Sequence, residues 1–284
     1  MSFKKGIVGL VAFAAAALAG AAGALAGNVG APENWQWNFQ EAATPVMERM
    51  NSFHNMVLII AVAITVFVLL LLAIIVVRFN ARANPTPSKT THNTMLEMLW
   101  TGVPVIILIV ITVPSFKLLY YQDRTPEADM TIEAIGNQWF WSYEYPDYDE
   151  LYFDAIMLED DELAEGQPRM LATDYNVVVP VDTTVRVLVS ATDVIHSWSV
   201  PSFGVKMDAV PGRVNETWFR ATEEGIYYGM CSELCGVLHG FMPIAVEVVS
   251  QDAFAEWLVW AEEEFGAREP EGVTIDVALA PAGN

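Results

Sequence analysis

Only two cysteines occur in the 284 residues, four positions apart. So sparse a set excludes a disulfide-stapled scaffold, whose small domains are dense in paired cysteines. Histidine is almost as rare: there are four, and none lies inside the two long apolar runs, so haem ligation from those runs is excluded. Positive charge is scarce too, with 14 Lys and Arg against 35 Asp and Glu and a formal net charge of -21. The shortage is concentrated downstream, where Asp123 to Asn284 holds 31 acids and 7 bases. Such a surface repels nucleic acid and attracts a basic partner. No stretch repeats another. Since 54% of the chain is nonetheless apolar, apolar and acidic residues are segregated, and the length leaves room for a membrane anchor and one globular domain.

What the chain does have is a dense group of soft donors. The run CSELCGVLHGFM gathers Cys231, Cys235, His239 and Met242 into twelve residues, and His196 stands 35 residues upstream of Cys231 in DVIHSWSVPS. Thiolate, imidazole and thioether suit copper better than calcium or magnesium. A disulfide between the cysteines is the plain alternative in an exported domain, and two Cys with two His also satisfy tetrahedral zinc. Met242 is a poor zinc ligand, and the clustering of His239 and Met242 about the pair argues against a disulfide. Single-copper electron-transfer sites use one Cys; the second sulfur here could bridge two metals.

Taken in order, the chain opens on a secretory signal at residues 1–26: Lys4 and Lys5, an Ala-rich apolar stretch, then Ala24-Leu25-Ala26, whose two alanines supply the small residues for cleavage. A retained membrane helix is the alternative, weakened by the Ala and Gly content. Residues 28–51 are polar and aromatic, with Trp35, Trp37 and Phe39 suited to an outer membrane interface. Met56 to Val77 is free of charge and about 33 Å long as helix, enough to cross a core of about 30 Å. Arg78, Arg82 and Lys89 follow without an acid before Glu97, which predicts a cytoplasmic connection. Leu99 to Leu119 is the second span, with Pro104 and Pro114 inside it. Glu97, three residues before Trp100, reads as an interfacial carboxylate at a helix start. From Met130 the pattern changes to short strands, TIEAIGNQWFWSYEY, YNVVVPV, TVRVLVSA, ETWFRA, GIYYGM and PIAVEVV, which predict an all-β sandwich or barrel. DAFAEWLVWAEEEFGAR predicts an amphipathic helix with Phe254, Trp257, Leu258 and Phe265 inward, before a Pro- and Gly-containing tail.

The runs CSELCGVLHGFMP, DVIHSWSVPSFGVKMDAVPGR and GNQWFWSYEY, with two spans ahead of them, resemble subunit II of the haem-copper cytochrome c oxidases over about Trp35 to Val249. The resemblance implies a fold of a two-helix transmembrane hairpin and an all-β cupredoxin-like Greek-key barrel. The expected boundaries are 27–122 for the N-terminal segment and hairpin, 123–250 for the β-domain and 251–284 for the C-terminal helix and acidic tail. The implied cofactors are two copper ions in a CuA centre and a magnesium shared with the catalytic subunit. Cys231 and Cys235 would bridge the coppers, His196 and His239 would each cap one, Met242 would be a weak axial donor, and Glu233 would donate its backbone carbonyl while its side chain faces the magnesium. The copper ligands are expected from a loop between two late strands and, for His196, from another loop on the same rim.

The resemblance further implies that Trp139 receives the electron and that Glu97 lies at the mouth of the K proton channel. Glu144, Asp147, Asp149, Glu150, Asp154 and Asp193, with the acids at 159–162, are then expected to steer a lysine-rich cytochrome c; the plain reading of such a run is a solvated surface. The other implied partners are the catalytic subunit I, subunit III and membrane lipid, in a bacterial inner membrane with the β-domain periplasmic. Three alternatives are distinguishable: a quinol oxidase subunit II lacks the copper ligands, nitrous oxide reductase is soluble and multidomain, and a copper-storage or delivery protein would use ligands that release metal.

Overall fold

The computed structural model describes residues 30–148 and 151–266. The expected signal at 1–26, the acids Asp149 and Glu150 and the tail beyond Gly266 lie outside the described residues.

Two long helices begin on capping side chains. In α1 (Pro45–Arg78) the Thr44 hydroxyl accepts from Met47 N, and Pro45 occupies the first helical position where its missing N–H costs nothing. In α2 (Thr94–Asp123) Asn93 Oδ1 accepts from both Met95 N and Leu96 N. Both helices are long and apolar enough to cross a membrane, and nearly all their apolar side chains face outward. That exposure is the opposite of a soluble core helix and fits lipid or partner helices as the surroundings. The helices outrun the apolar stretches: α1 starts eleven residues before Met56 and α2 continues to Asp123. These outer ends meet the β-domain. Arg49 lies over the Tyr121 ring at 3.6 Å, Tyr121 meets Trp218 edge-on at 5.5 Å, and Trp218 Nε1 donates to the Gln122 carbonyl at 3.1 Å.

The β-domain holds ten strands among the described residues: β1 (Met130–Asn137), β2 (Phe140–Tyr145), β3 (Leu151–Ala155), β4 (Val177–Pro180), β5 (Val185–Ala191), β6 (His196–Val200), β7 (Val205–Ala209), β8 (Asn215–Phe219), β9 (Gly225–Met230) and β10 (Pro243–Val249). They form a five-stranded sheet ordered β3-β2-β1-β5-β8, a three-stranded sheet ordered β4-β10-β9, and the pair β6-β7. Most neighbours are antiparallel, but β1 with β5 and β4 with β10 run parallel, and parallel neighbours are joined by long crossover connections rather than tight hairpins. No closed ring of strand pairing joins the three groups among the described residues, so the enclosure comes from packing between sheets. Strand periodicity does this: β1 and β5 bury every second residue. The interior is aromatic, with Trp141, Tyr143, Trp198, Phe203, Phe219 and Tyr227 all buried. Trp198 Nε1 donates to Tyr143 Oη at 3.2 Å, which satisfies a polar atom that burial would otherwise leave costly.

β3, β6 and β7 were not expected from the sequence, and β6 corrects one expectation directly: His196 opens a strand rather than sitting in a loop. The loop reading fails because His196 pairs with Ala209 and Ser197 with Asp208, a long-range partnership that local composition does not announce. The expected final helix is α3 (Gln251–Phe265), started by Ser250 Oγ accepting from Ala253 N. Phe254 is buried and Trp257, Leu258 and Phe265 pack against the core. Trp257 meets Tyr145 at 5.4 Å and Phe265 stacks on Phe153 at 4.9 Å, so α3 lies against β3 and β4, an edge strand of each larger sheet.

Candidate metal centre

The loop from Cys231 to Met242 leaves β9 and returns into β10, so both its ends are fixed by one antiparallel pair. Cys231 N donates to the Met242 carbonyl at 3.0 Å and Ser232 N to the Ser197 carbonyl at 2.9 Å, which ties the loop base to β10 and β6. Its turn is held from the other side by the β1–β2 connection. Gln138 Nε2 at 2.7 Å and Trp139 Nε1 at 3.2 Å both donate to the Cys235 carbonyl. Two donors on one carbonyl fix the backbone at the residue whose side chain must point inward.

Inside this frame Cys231 Sγ and Cys235 Sγ stand 3.9 Å apart. That is far outside the about 2.05 Å of a disulfide, and within the about 4.6 Å that two metal–sulfur bonds of about 2.3 Å to one shared ion permit. His196 Nδ1 lies 3.9 Å from Cys231 Sγ, His239 Nδ1 lies 3.6 Å from Cys235 Sγ, and the Glu233 carbonyl is 3.3 Å from Cys231 Sγ. The ligand atoms of His196, Cys231 and Cys235 all fall within 4.8 Å of one another. Met242 is fully buried at the loop end. His196, Cys231 and Cys235 are therefore a buried group of soft and borderline donors brought together by folding, with half-buried His239 against Cys235.

His196 is aimed as well as near. Its Nε2 is 2.8 Å from Asp193 Oδ1; a carboxylate only accepts, so this nitrogen carries the proton and Nδ1 is directed at the sulfurs. Gly136 leaves the space: a Cβ there would lie 2.8 Å from His196 Cδ2. Trp141 closes the other side, edge-on at 6.1 Å. Asp193 is itself held by Val194 N at 2.6 Å and Gln138 N at 2.7 Å.

The charges respond to this geometry. Burial pushes the Cys231 thiol up, but hydrogen bonding with His196 and with the backbone at Glu233 and Ser197 outweighs it and brings the group down to about 6. Burial, with the Cys231 charge beside it, drives Cys235 up to about 12. For His196 burial works downward, yet Cys231 and Asp193 together hold the imidazole above its ordinary value. Asp193, raised by burial but bonded to His196 and two backbone N–H groups, ends below the usual carboxylate range. The first thiolate is thus formed readily, and the second needs a metal to displace its proton.

Two family models match the chain: the cytochrome c oxidase subunit II transmembrane domain over residues 32–118 and the periplasmic domain of the same subunit over residues 130–249. A probable cytochrome c oxidase subunit 2 of Rickettsia prowazekii is 54% identical over 227 residues, covering 80% of this chain and 72% of the relative. The chain belongs to the cytochrome c oxidase subunit II family. The cytochrome c oxidase subunit 2 of Chondrus crispus is 46% identical over 231 residues, covering 80% of this chain and 91% of the relative. The crystal structure of the periplasmic domain of subunit II (CoxB) of Bradyrhizobium japonicum is 51% identical and covers 50% of this chain and 99% of that one, with a TM-score of 0.48. This subunit II is accordingly a membrane component of a haem-copper oxidase, an oxidoreductase.

The remaining expected residues divide by position. Trp139 is half-buried in the β1–β2 connection, bonded to the metal loop. Asp154 sits on β3, paired with Ser142 and taking its hydroxyl bond at 2.6 Å. Glu144 lies further along β2, opposite Glu133. Asp147 is exposed but accepts from Thr131 N at 2.6 Å, at the far end of β1 and about 20 Å of strand from Trp139. Asp193, expected among the docking acids, is exposed, and its carboxylate also engages His196, Val194 and Gln138. Glu233 is exposed on the loop. Glu97 occupies the first turn of α2 beside a shallow groove lined by Thr94, Met98, Thr101 and Gly102, some 39 Å of helix from Asp123. Sequence reasoning missed Gln138, whose contact with Cys235 spans 97 positions; its one signal was adjacency to Trp139.

Proposed function

We propose that this subunit receives single electrons from reduced cytochrome c at a dinuclear copper centre and delivers them to the haem of the catalytic subunit, where oxygen reduction is coupled to proton pumping. The observation that carries the reading is the pair of unlinked sulfurs at 3.9 Å with an imidazole against each. Cys231 and Cys235 would hold both coppers, His196 and His239 one each, with the Met242 thioether and the Glu233 carbonyl completing the set. When bound, such a centre supplies reversible one-electron storage shared over two metals and two sulfurs.

The chain's own residues do the rest. Asp193 fixes the tautomer and direction of His196. Gln138 and Trp139 restrain the loop at Cys235, so the ligand geometry changes little between charge states. Burial of Cys231, Cys235 and Met242 keeps water from the ligands. Trp139, bonded to the same carbonyl, is assigned as the residue where the electron arrives, with acids of the β2–β3 region steering a basic cytochrome c towards it. The Glu233 side chain is assigned to a magnesium at the boundary with the catalytic subunit, and Glu97 to the mouth of a proton channel there. The reading divides the chain into a leader (1–26), a hairpin unit (27–122), a copper domain (123–250) and a C-terminal unit (251–284), with the β-domain in the periplasm of a bacterial inner membrane and subunit III and lipid around the hairpin.

Copper analysis and electron spin resonance of the purified, copper-loaded full-length subunit test the proposal. Two coppers per chain sharing one unpaired electron are expected. One copper per chain, or a Cys231–Cys235 disulfide in metal-replete material, would overturn it.

A further inference from the structure

The two strands that deliver ligands share one fastening at their far ends. β6 begins at His196 and runs into the short 3-10 turn Pro201–Phe203; β9 ends at Met230, one residue before Cys231, and is entered through Thr222. At the ends away from the site both are bonded to the same dipeptide ahead of α1. Ala43 N donates to the Ser202 carbonyl at 2.9 Å, and Thr44 Oγ1 donates to the Phe203 carbonyl at 2.7 Å. The Ala43 carbonyl in turn accepts from Thr222 N at 2.9 Å and Thr222 Oγ1 at 3.2 Å. Ala43 and Thr44 are buried, and the same Thr44 hydroxyl caps α1. Above the fastening the strands lie directly on each other, since a Cβ at Gly229 would collide with the Ser199 carbonyl.

We infer that Thr44, with the Ala43 carbonyl, is a positioning residue for electron transfer: it locks the two ligand strands to the first turn of the membrane hairpin and so fixes where the metal loop stands relative to the catalytic subunit. The lever is long. Six residues of β9 span about 20 Å, so a tilt of about 5° at the fastening moves the loop by about 1.7 Å. Electron transfer between separated centres falls exponentially with the gap, so a shift of this size is enough to slow it. Hydrogen bonds at both strand ends, rather than a flexible linker, are what holds the tilt, and a buried carbonyl stripped of its donor would relax towards another partner. The inference rests on the copper reading of the loop, but the fastening itself does not.

The test uses the assembled oxidase with Thr44→Val and Thr44→Ser. Distances are read between genetically encoded, non-cysteine spin labels at Lys89 and Lys206, and flash kinetics separate uptake from cytochrome c from onward transfer to haem. Thr44→Val should broaden the distance distribution and slow the onward step severalfold, with uptake and the copper spectrum unchanged; Thr44→Ser, which keeps the hydroxyl, should restore both. Unchanged width and onward rate in Thr44→Val would overturn the inference, as would equal slowing of both steps. If Thr44→Val fails to assemble, Thr222→Val, which removes only the hydroxyl bond to the Ala43 carbonyl, carries the same readouts at smaller amplitude, and no change there would overturn it. Lack of a dinuclear copper signal in the unsubstituted oxidase would sink the copper reading while leaving the distance measurement to judge the fastening.

Discussion

Replacing Asp193 tests whether the centre depends on its supporting carboxylate. Oδ1 takes His196 Nε2 at 2.8 Å and Val194 N at 2.6 Å, and Oδ2 takes Gln138 N at 2.7 Å. Alanine removes both acceptor oxygens and all three bonds. Asparagine keeps the two on one oxygen but must present its amide N–H₂ to Gln138 N, a donor facing a donor. Hydrogen bonds to charged groups contribute about 1.5–3 kcal/mol. The Asp193 side chain is 32% exposed, so solvent screening argues for the lower end, about 1.5 kcal/mol for the His196 bond. That is close to tenfold in an equilibrium constant, and the freed loop at Gln138 adds to it, so copper affinity in Asp193→Ala should fall about 10- to 100-fold. Asp193→Asn should fall by less, about tenfold or under. The assay is competition against a copper chelator of known affinity with the full-length subunit in detergent. Copper affinity untouched in both variants, with only the salt dependence of electron uptake altered, would refute the supporting role and return Asp193 to the docking surface.

Met242→Leu should leave copper bound but shift its redox potential, read by potentiometric titration; an unmoved potential removes Met242 from the ligand set. Trp139→Phe deletes the Nε1 bond to the Cys235 carbonyl, and should cut turnover with cytochrome c while the copper spectrum stays normal; full turnover would count against electron arrival at this residue. Neutralising Asp154 should flatten the ionic-strength dependence of uptake more than neutralising Asp147, because Asp147 lies about 20 Å along the sheet from Trp139, beyond a Debye length of about 8 Å; equal effects would contradict that geography. In metal-free protein the Cys231 thiol is lowered, so thiolate is present above its midpoint: alkylation of a first thiol should rise through about pH 6, ahead of the second, which burial and the neighbouring Cys231 charge hold up. A rise beginning only near the ordinary thiol range of about 8.5 would refute the His196–Cys231 pairing.

The metal loop was readable because its chemistry is local: four donors lie within twelve residues, and the turn between β9 and β10 brings them together. The hairpin was readable from uninterrupted apolarity. What escaped was set by distant partners. β6, HSWSV, alternates serines with large buried residues, and pairs with β7, VKMDA, whose Lys and Asp disguise it. β3, LYFDA, sits amid acids that read as a solvated run, although Leu151 and Phe153 are buried. The charge of Asp193 is legible in the sequence, whereas its contacts with His196 three positions on and Gln138 55 positions back are set by the fold. Gln138 carries no signature of its own.

The placement of α3 has a consequence for biogenesis. It rests against β3 and β4, and those strands otherwise end their sheets with open hydrogen-bonding rows. Because α3 follows every strand among the described residues, these borders stay unguarded until the chain beyond Gln251 has been synthesised. A chain halted at Ser250 would carry every proposed metal ligand yet offer two adhesive margins to its neighbours, so loss of α3 would show first as clumping of newly made subunits rather than as damage to the metal loop.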